Sequence, residues 1–344
     1  MMQKKKIKVY LVFVLVLFVF VLYFSFKDNY LEIIEALSGV KVIYLLLGIL
    51  CVFISKYLIG VITYYLAIKE KKNSKFSKML QIALIYPFFA GITPSSVGGE
   101  AFEVFYLKKT GIDYGKSSNI SIQKFILYQI SLIIVNFMAV LLNLFTDIVA
   151  DTSLVGSSVA LNFVVNIVIL LFFFLLTYNK KFNHLVMNGG LTFLHRIKIV
   201  KNIDKVKKDL NDYLDNFNEG VDKLRSDRKL FIRLVWISVL SLVFFMVAGY
   251  PIAKALGINN ISLINIFILI TYAKMMCMLI VTPGNSGAVE YCFVYLFTGL
   301  VSGDKIMAYM LVWRFVTYYI PLVVGGILAI TWGKEEKNEK NNCS

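Results

Sequence analysis

The sequence predicts an all-α protein: a polytopic transmembrane helical bundle with two inverted repeats, each containing a Pro/Gly-broken re-entrant hairpin. Three observations predict it. Apolar runs recur at lengths that cross a bilayer core, which needs about 20 helical residues. Positive charge is gathered into the short connections between those runs. One helix-breaking motif occurs twice, as Thr93-Pro94-Ser95-Ser96-Val97-Gly98-Gly99-Glu100 and Thr282-Pro283-Gly284-Asn285-Ser286-Gly287-Ala288-Val289-Glu290.

The first helix is expected at about 7–26. Lys4, Lys5 and Lys6 precede it as they would precede a signal peptide, but Tyr23-Phe24-Ser25-Phe26 is no small-residue cleavage site, so it reads as an uncleaved span. A second helix covers about 42–68, and a broken hairpin covers 79–107, with arms 79–93 and 95–107. Helices follow at about 120–145 and 158–178. A polar segment occupies 179–229. Then come a helix at 231–253, a second broken hairpin at 261–302 and a last helix at 306–332. The arm 261–281 is long enough to span, which leaves two depths open for the second motif. The whole of 1–344 reads as one integral membrane domain, with repeat one at about 42–145 and repeat two at about 231–332.

Charge orients the spans. The connection holding Lys69, Lys71, Lys72, Lys75 and Lys78, the end of the first hairpin with Lys108, Lys109 and Lys116, and the segment 179–229 with twelve Lys and Arg are all expected on the cytoplasmic side. The stretch 147–157 has Asp147 and Asp151 and no Lys or Arg, so it is expected outside. The first hairpin then enters from inside and the second from outside. Both termini are expected in the cytoplasm of a bacterial cell whose cytoplasmic membrane holds the bundle. Within the cytoplasmic segment, Ile199, Ile203, Val206, Leu210, Tyr213, Phe217 and Leu224 recur at alternating steps of four and three, with one turn interrupted near Gly220. This is an amphipathic helix, lying either in the inner interface or packed on the bundle ends.

The net charge of +15 follows these loops and does not point to nucleic acid. Cys51, Cys277, Cys292 and Cys343 contain no C-x-x-C, and only His184 and His195 are present, so no disulfide framework, metal site or cofactor is expected. No G-x-S-x-G, Walker or H-E-x-x-H sequence occurs, and no catalytic residue is assigned.

Charge inside a span is costly and marks function. Lys56, Lys124, Lys274, Glu100, Glu103, Glu290 and Arg314 lie within or beside apolar runs. Lys124 lies 24 positions after Glu100, and Arg314 lies 24 after Glu290; Lys124-Phe125-x-x-Tyr128 echoes Arg314-Phe315-x-x-Tyr318. The expectation is that Glu100, Lys124, Glu290 and Arg314 converge on a substrate-binding cavity between the repeats, the cations on phosphate and the carboxylates on an amine or a proton. Simple Glu–cation pairs that lock helices are the alternative. Pro94, Gly98, Gly99, Pro283, Gly284 and Gly287 are the helix-break residues. Glu103 is a weaker candidate, expected nearer the cytoplasmic surface. Lys56 and Lys274 either snorkel or line a path.

Pro94-x-x-x-Gly98-Gly99-Glu100 with Lys108-Lys109, Pro283-Gly284-x-x-Gly287-x-x-Glu290, and Arg314 with Pro321 and Gly325-Gly326 together resemble a flippase-like membrane family. That family includes the transmembrane region of lysylphosphatidylglycerol synthase, the multiple peptide resistance factor. The resemblance covers roughly 7–332. It implies a lipid flippase for lysyl-phosphatidylglycerol or another phosphate-bearing lipid. In bifunctional relatives a separate soluble domain makes the aminoacyl lipid from charged tRNA, and the exported lipid repels cationic antimicrobial peptides. This sequence, ending at Ser344, has no room for that domain, so transport is expected rather than lysyl transfer. The implied partners are an anionic or aminoacylated phospholipid or a polyprenyl-phosphate lipid, the membrane itself, a separate lipid synthase, and a second copy of the chain.

Overall fold

A computed structural model describes residues 39–91, 93, 98–150, 152–196, 216–217, 219, 221–222, 226–277, 285 and 287–342. The expected helix 7–26, Pro94, Pro283, Gly284 and most of the amphipathic pattern at 199–224 lie outside the described residues.

The described chain is helical throughout: α1 (Val42–Glu70), α2 (Phe76–Gly91), α3 (Gly98–Lys109), α4 (Tyr114–Thr146), α5 (Ser153–Tyr178), α6 (Lys180–Arg196), α7 (Arg228–Val247), α8 (Gly249–Ala255), α9 (Leu263–Cys277), α10 (Ala288–Phe297), α11 (Gly303–Arg314), a π-helical turn (Phe315–Tyr319) and α12 (Ile320–Asn342). Among the described residues, five stretches are long and apolar enough to cross a membrane: Val42–Glu70, Tyr114–Thr146, Ser153–Tyr178, Arg228–Ala255 and Lys305–Trp332. The chain is thus an all-α, multi-pass membrane protein.

Helix ends follow local chemistry. Gly111, at φ +85°, stops α3, and α4 starts at Tyr114, six residues before the apolar run suggests. Asp147 takes the left-handed conformation after α4, and its N–H reaches the Asn143 carbonyl at 2.8 Å. Thr152 and Asp227 accept from the N–H groups of Val155 and Leu230, at 3.3 and 3.0 Å, and so cap α5 and α7.

The two broken hairpins are short. α2 has 16 residues and α9 has 15, so each is about 22–24 Å long, against a bilayer core of about 30 Å. The described part of the arm expected at 261–281 is therefore too short to span as helix. The hairpins open at opposite ends of the bundle. At one end, Lys69 joins Asp227 at 2.6 Å and Lys71 donates to the Thr110 carbonyl at 2.7 Å, tying the end of α1 to the start of α7 and to the foot of the first hairpin. At the other end, the Lys41 N–H donates to the Ala255 carbonyl at 3.0 Å, and Asn260 donates to the Leu300 carbonyl at 2.7 Å, closing the foot of the second hairpin.

Packing between the halves is reciprocal. α1 lies on α7, α2 lies on α12, and α9 lies on α4. Ser55 and Ser241 meet at 3.1 Å where α1 crosses α7. Gly325 lets α12 close on α2, since a β-carbon there would sit 2.7 Å from the Leu84 carbonyl oxygen. In the second half, Phe293, Phe297, Tyr309 and Trp313 form a fully buried aromatic cluster that seats α10 on α11. α5 shows mostly apolar side chains outward, while Asn162 and Asn166 form a buried inward stripe; Asn162 donates to the Met275 carbonyl at 3.2 Å. Of the segment 179–229, Phe217 and Val221 are buried, and Glu219 and Asp222 meet Lys116 and Lys180. The Lys116–Glu219 contact sets this short described piece beside the start of α4.

Candidate functional site: two charged helix breaks

Each hairpin presents a helix start to the interior, and a carboxylate sits in its first turn: Glu100 in α3 and Glu290 in α10. In the second break, Gly287 caps α10 at φ +88°. Nothing lies within 4 Å of where its β-carbon would be, so backbone conformation rather than space asks for glycine there. The Gly287 N–H donates to Glu290 Oε2 at 2.7 Å, and Arg314 Nε donates to Glu290 Oε1 at 2.7 Å. One carboxylate thus serves a helix start and a guanidinium together. Arg314 is buried, lies 4.4 Å from the centre of the Tyr318 ring, and is followed at once by the π-helical turn. Single π turns of this kind often accompany functional sites.

The first break uses the same parts differently. Thr93 Oγ1 accepts from the Gly98 N–H at 3.0 Å, taking the place that Glu290 fills in the second. Glu100 accepts from the Tyr86 hydroxyl at 2.6 Å. Lys124 pairs with Glu103, one turn further along, and not with Glu100. Glu103 also accepts from Ser121 at 3.2 Å. Its side chain is fully buried within the protein. Lys124 additionally lies 4.7 Å from the Tyr86 ring centre. Gly99 packs under that ring; a β-carbon there would stand 2.8 Å from it.

The two breaks communicate. The Tyr318 hydroxyl donates to the Gly91 carbonyl at the end of α2, 3.1 Å away. The last helical stretch of the second half therefore sends a tyrosine to the broken end of the first half's hairpin. Lys56 and Lys274 lie between, both near Phe245. Of the four residues expected to converge, Glu290 and Arg314 touch directly, while Glu100 and Lys124 share Tyr86. Tyr318 belongs to the echoed motif, whereas Tyr86 and the Gly91 carbonyl were not singled out from sequence.

A multi-pass helical membrane protein with charge-paired helix breaks is the class that these features define. The chain matches the family described as lysylphosphatidylglycerol synthase TM region over residues 9–325, and belongs to it. It is also similar to a UPF0104 membrane protein of Archaeoglobus fulgidus, 25% identical over 264 residues that cover 73% of this chain and 75% of the relative. A UPF0104 membrane protein of Methanothermobacter thermautotrophicus is 28% identical over 124 residues, 36% of this chain and 35% of the relative.

Proposed function

We propose that the chain is a flippase, moving a phosphate-bearing lipid between leaflets of a bacterial cytoplasmic membrane. The observation that carries this is the Glu290–Arg314 pair at the start of α10. An acid, a guanidinium and helix N–H groups are assembled where an anionic head group and an amine could both be received. The halves act as inverted repeats, a reading supported by the hairpins opening at opposite ends and by the reciprocal packing of α2 on α12 and α9 on α4.

In this mechanism the head group enters by exchanging ion pairs. Lipid phosphate replaces Glu290 on Arg314 and Glu103 on Lys124. A lysyl amine, where the lipid carries one, is received by Glu290 and Glu100. Pair-for-pair exchange keeps desolvated charge balanced throughout, which limits the barrier inside the membrane. The acyl chains stay in lipid while the halves rock about the α1–α7 contact. The basic end of the bundle faces the cytoplasm, with both termini there.

The test is reconstitution of the chain into liposomes with labelled lysyl-phosphatidylglycerol, phosphatidylglycerol and polyprenyl-phosphate lipid in separate arms. Transfer of one of these, lost in Arg314→Ala and Glu290→Ala, is the expected result, and the arm that works names the lipid. No transfer of any of the three, or transfer indifferent to both substitutions, overturns the reading.

A further inference from the structure

The ion pairs at the two breaks leave two cations over. Lys56 lies at the midpoint of α1, 14 residues from either end, and Lys274 lies in the last turn of α9. Both are half-buried. Their ammonium groups address one ring: Lys56 Nζ is 5.8 Å and Lys274 Nζ is 4.8 Å from the centre of Phe245 on α7. Both ammonium groups are thus held beside the same Phe245 ring. Among the described residues, neither ammonium has a carboxylate partner.

Among the described residues the charge count is uneven: four cations, Lys56, Lys124, Lys274 and Arg314, accompany three carboxylates, Glu100, Glu103 and Glu290. Glu103 and Glu290 are each engaged by one cation, and Glu100 is held by Tyr86. With every group ionised, one positive charge is unmatched, concentrated at the two lysines. A ring face offsets an ammonium only partly. A single anion held at this ring by the two lysines would remove the surplus.

We propose that Lys56 and Lys274 form a phosphate-binding site, shaped by the Phe245 ring and separate from the ion-paired cations of the breaks. A phosphodiester carries the one negative charge that the count lacks, and lysine binds phosphate as a point charge from a flexible stem. The site lies at the middle of α1, so an anion reaching it has left bulk water. This assignment rests on the transport reading for its lipid source: the pair would hold the phosphate of a head group in transit, ahead of exchange at Arg314 or Lys124. A free phosphate ion presents the same chemistry.

The experiment measures retention of labelled phosphatidylglycerol by the purified full chain in phosphatidylcholine nanodiscs. Diacylglycerol serves as the uncharged control, and inorganic phosphate as competitor in a second arm. Lys56→Gln/Lys274→Gln is expected to weaken phosphatidylglycerol retention at least tenfold, and Lys56→Arg/Lys274→Arg to restore it. Removing two unpaired cations should leave the thermal midpoint equal or higher, which separates the effect from misfolding. Inorganic phosphate bound by the wild type and lost in the double Gln variant, without lipid retention, would assign the site to the free ion. Retention unchanged in the double Gln variant overturns the proposal. The transport reading fails separately: no transfer in liposomes with lysine-dependent retention leaves the site standing, and Arg314-dependent transfer with lysine-independent retention leaves transport standing.

Discussion

The Tyr318 hydroxyl donates to the Gly91 carbonyl at 3.1 Å, although the two residues are 227 positions apart. Gly91 ends α2, and its carbonyl is one of the last-turn acceptors that a helix cannot satisfy internally. The same tyrosine carries Arg314 on its ring face. A single side chain therefore couples the cation of one half to the helix break of the other.

Tyr318→Phe separates those two roles. It keeps the ring beneath Arg314 and removes only the bond across the halves. The expected loss of stability is about 0.5–1.5 kcal/mol, the net value of one such hydrogen bond. Lipid transfer should fall further than this stability loss explains, because α2 and the π-helical turn no longer move together. Transfer at the wild-type rate in a correctly folded Tyr318→Phe protein would show that the bond only supports the fold.

Much of the bundle was legible in the sequence, because the forces that fix it act locally. Long apolar runs identify α1, α4, α5 and α7, and the doubled motif locates both breaks. The spacing of 24 marks Glu290 and Arg314, which touch. It also marks Glu100 and Lys124, but Lys124 reaches Glu103, since Glu100 and Glu103 sit one turn apart on one face and only three-dimensional packing chooses between them. Tyr86 resembles the many aromatics that face lipid until the fold brings it to a carboxylate, and the echo that names Tyr318 gives no sign of its carbonyl partner in the other half. The lysines at 56 and 274 have no echo in the other half, so repetition could not point to them.

The choice of Glu103 over Glu100 predicts different defects. Glu103 is fully buried and holds Lys124 and Ser121. Glu103→Gln strands a buried ammonium and should destabilise by about 3–5 kcal/mol. Glu100→Gln still accepts from Tyr86, so it should cost less, about 1 kcal/mol. Lipid transfer should nevertheless drop in Glu100→Gln if this carboxylate receives an amine or a proton. Denaturation in mixed micelles gives the first comparison, and initial transfer rates in liposomes give the second. Equal destabilisation by the two substitutions would contradict the pairing.

The basic end of the bundle should show pH-dependent stability through Asp227. The Lys69 ammonium, and after it the Leu230 N–H, hold its carboxyl below the usual carboxylate range. In the unfolded chain the group titrates near ~3.9. The folded state therefore binds fewer protons than the unfolded one as pH falls through that region. Its contribution is complete above the unfolded value and is lost as pH falls through the lower folded one. The gap in thermal midpoint between wild type and Asp227→Asn should be present at neutral pH and close in acid below about pH 4. Added salt should narrow it, because the pair is partly exposed. A gap that persists unchanged in acid would assign the effect to side-chain shape rather than charge.

The Glu290–Arg314 pair allows structural and transport roles to be separated by a double substitution. Arg314→Gln leaves Glu290 with only the Gly287 N–H, and Glu290→Gln leaves a buried guanidinium without its carboxylate. Each single change should cost about 3–5 kcal/mol, because an uncompensated charge remains in a place poor in water. Changing both residues to Gln removes both charges, and an amide at 290 can still accept from the helix start, so stability should return to within about 1–2 kcal/mol of wild type. If the pair only locks α10 to α11, transfer should return with stability. If it exchanges with a lipid phosphate, transfer should stay lost in a protein that is folded, because neither amide can supply the charge that the head group leaves behind in water. Thermal midpoints and initial transfer rates measured on the same four proteins decide between the two, and recovery of both together would reduce the pair to a structural lock.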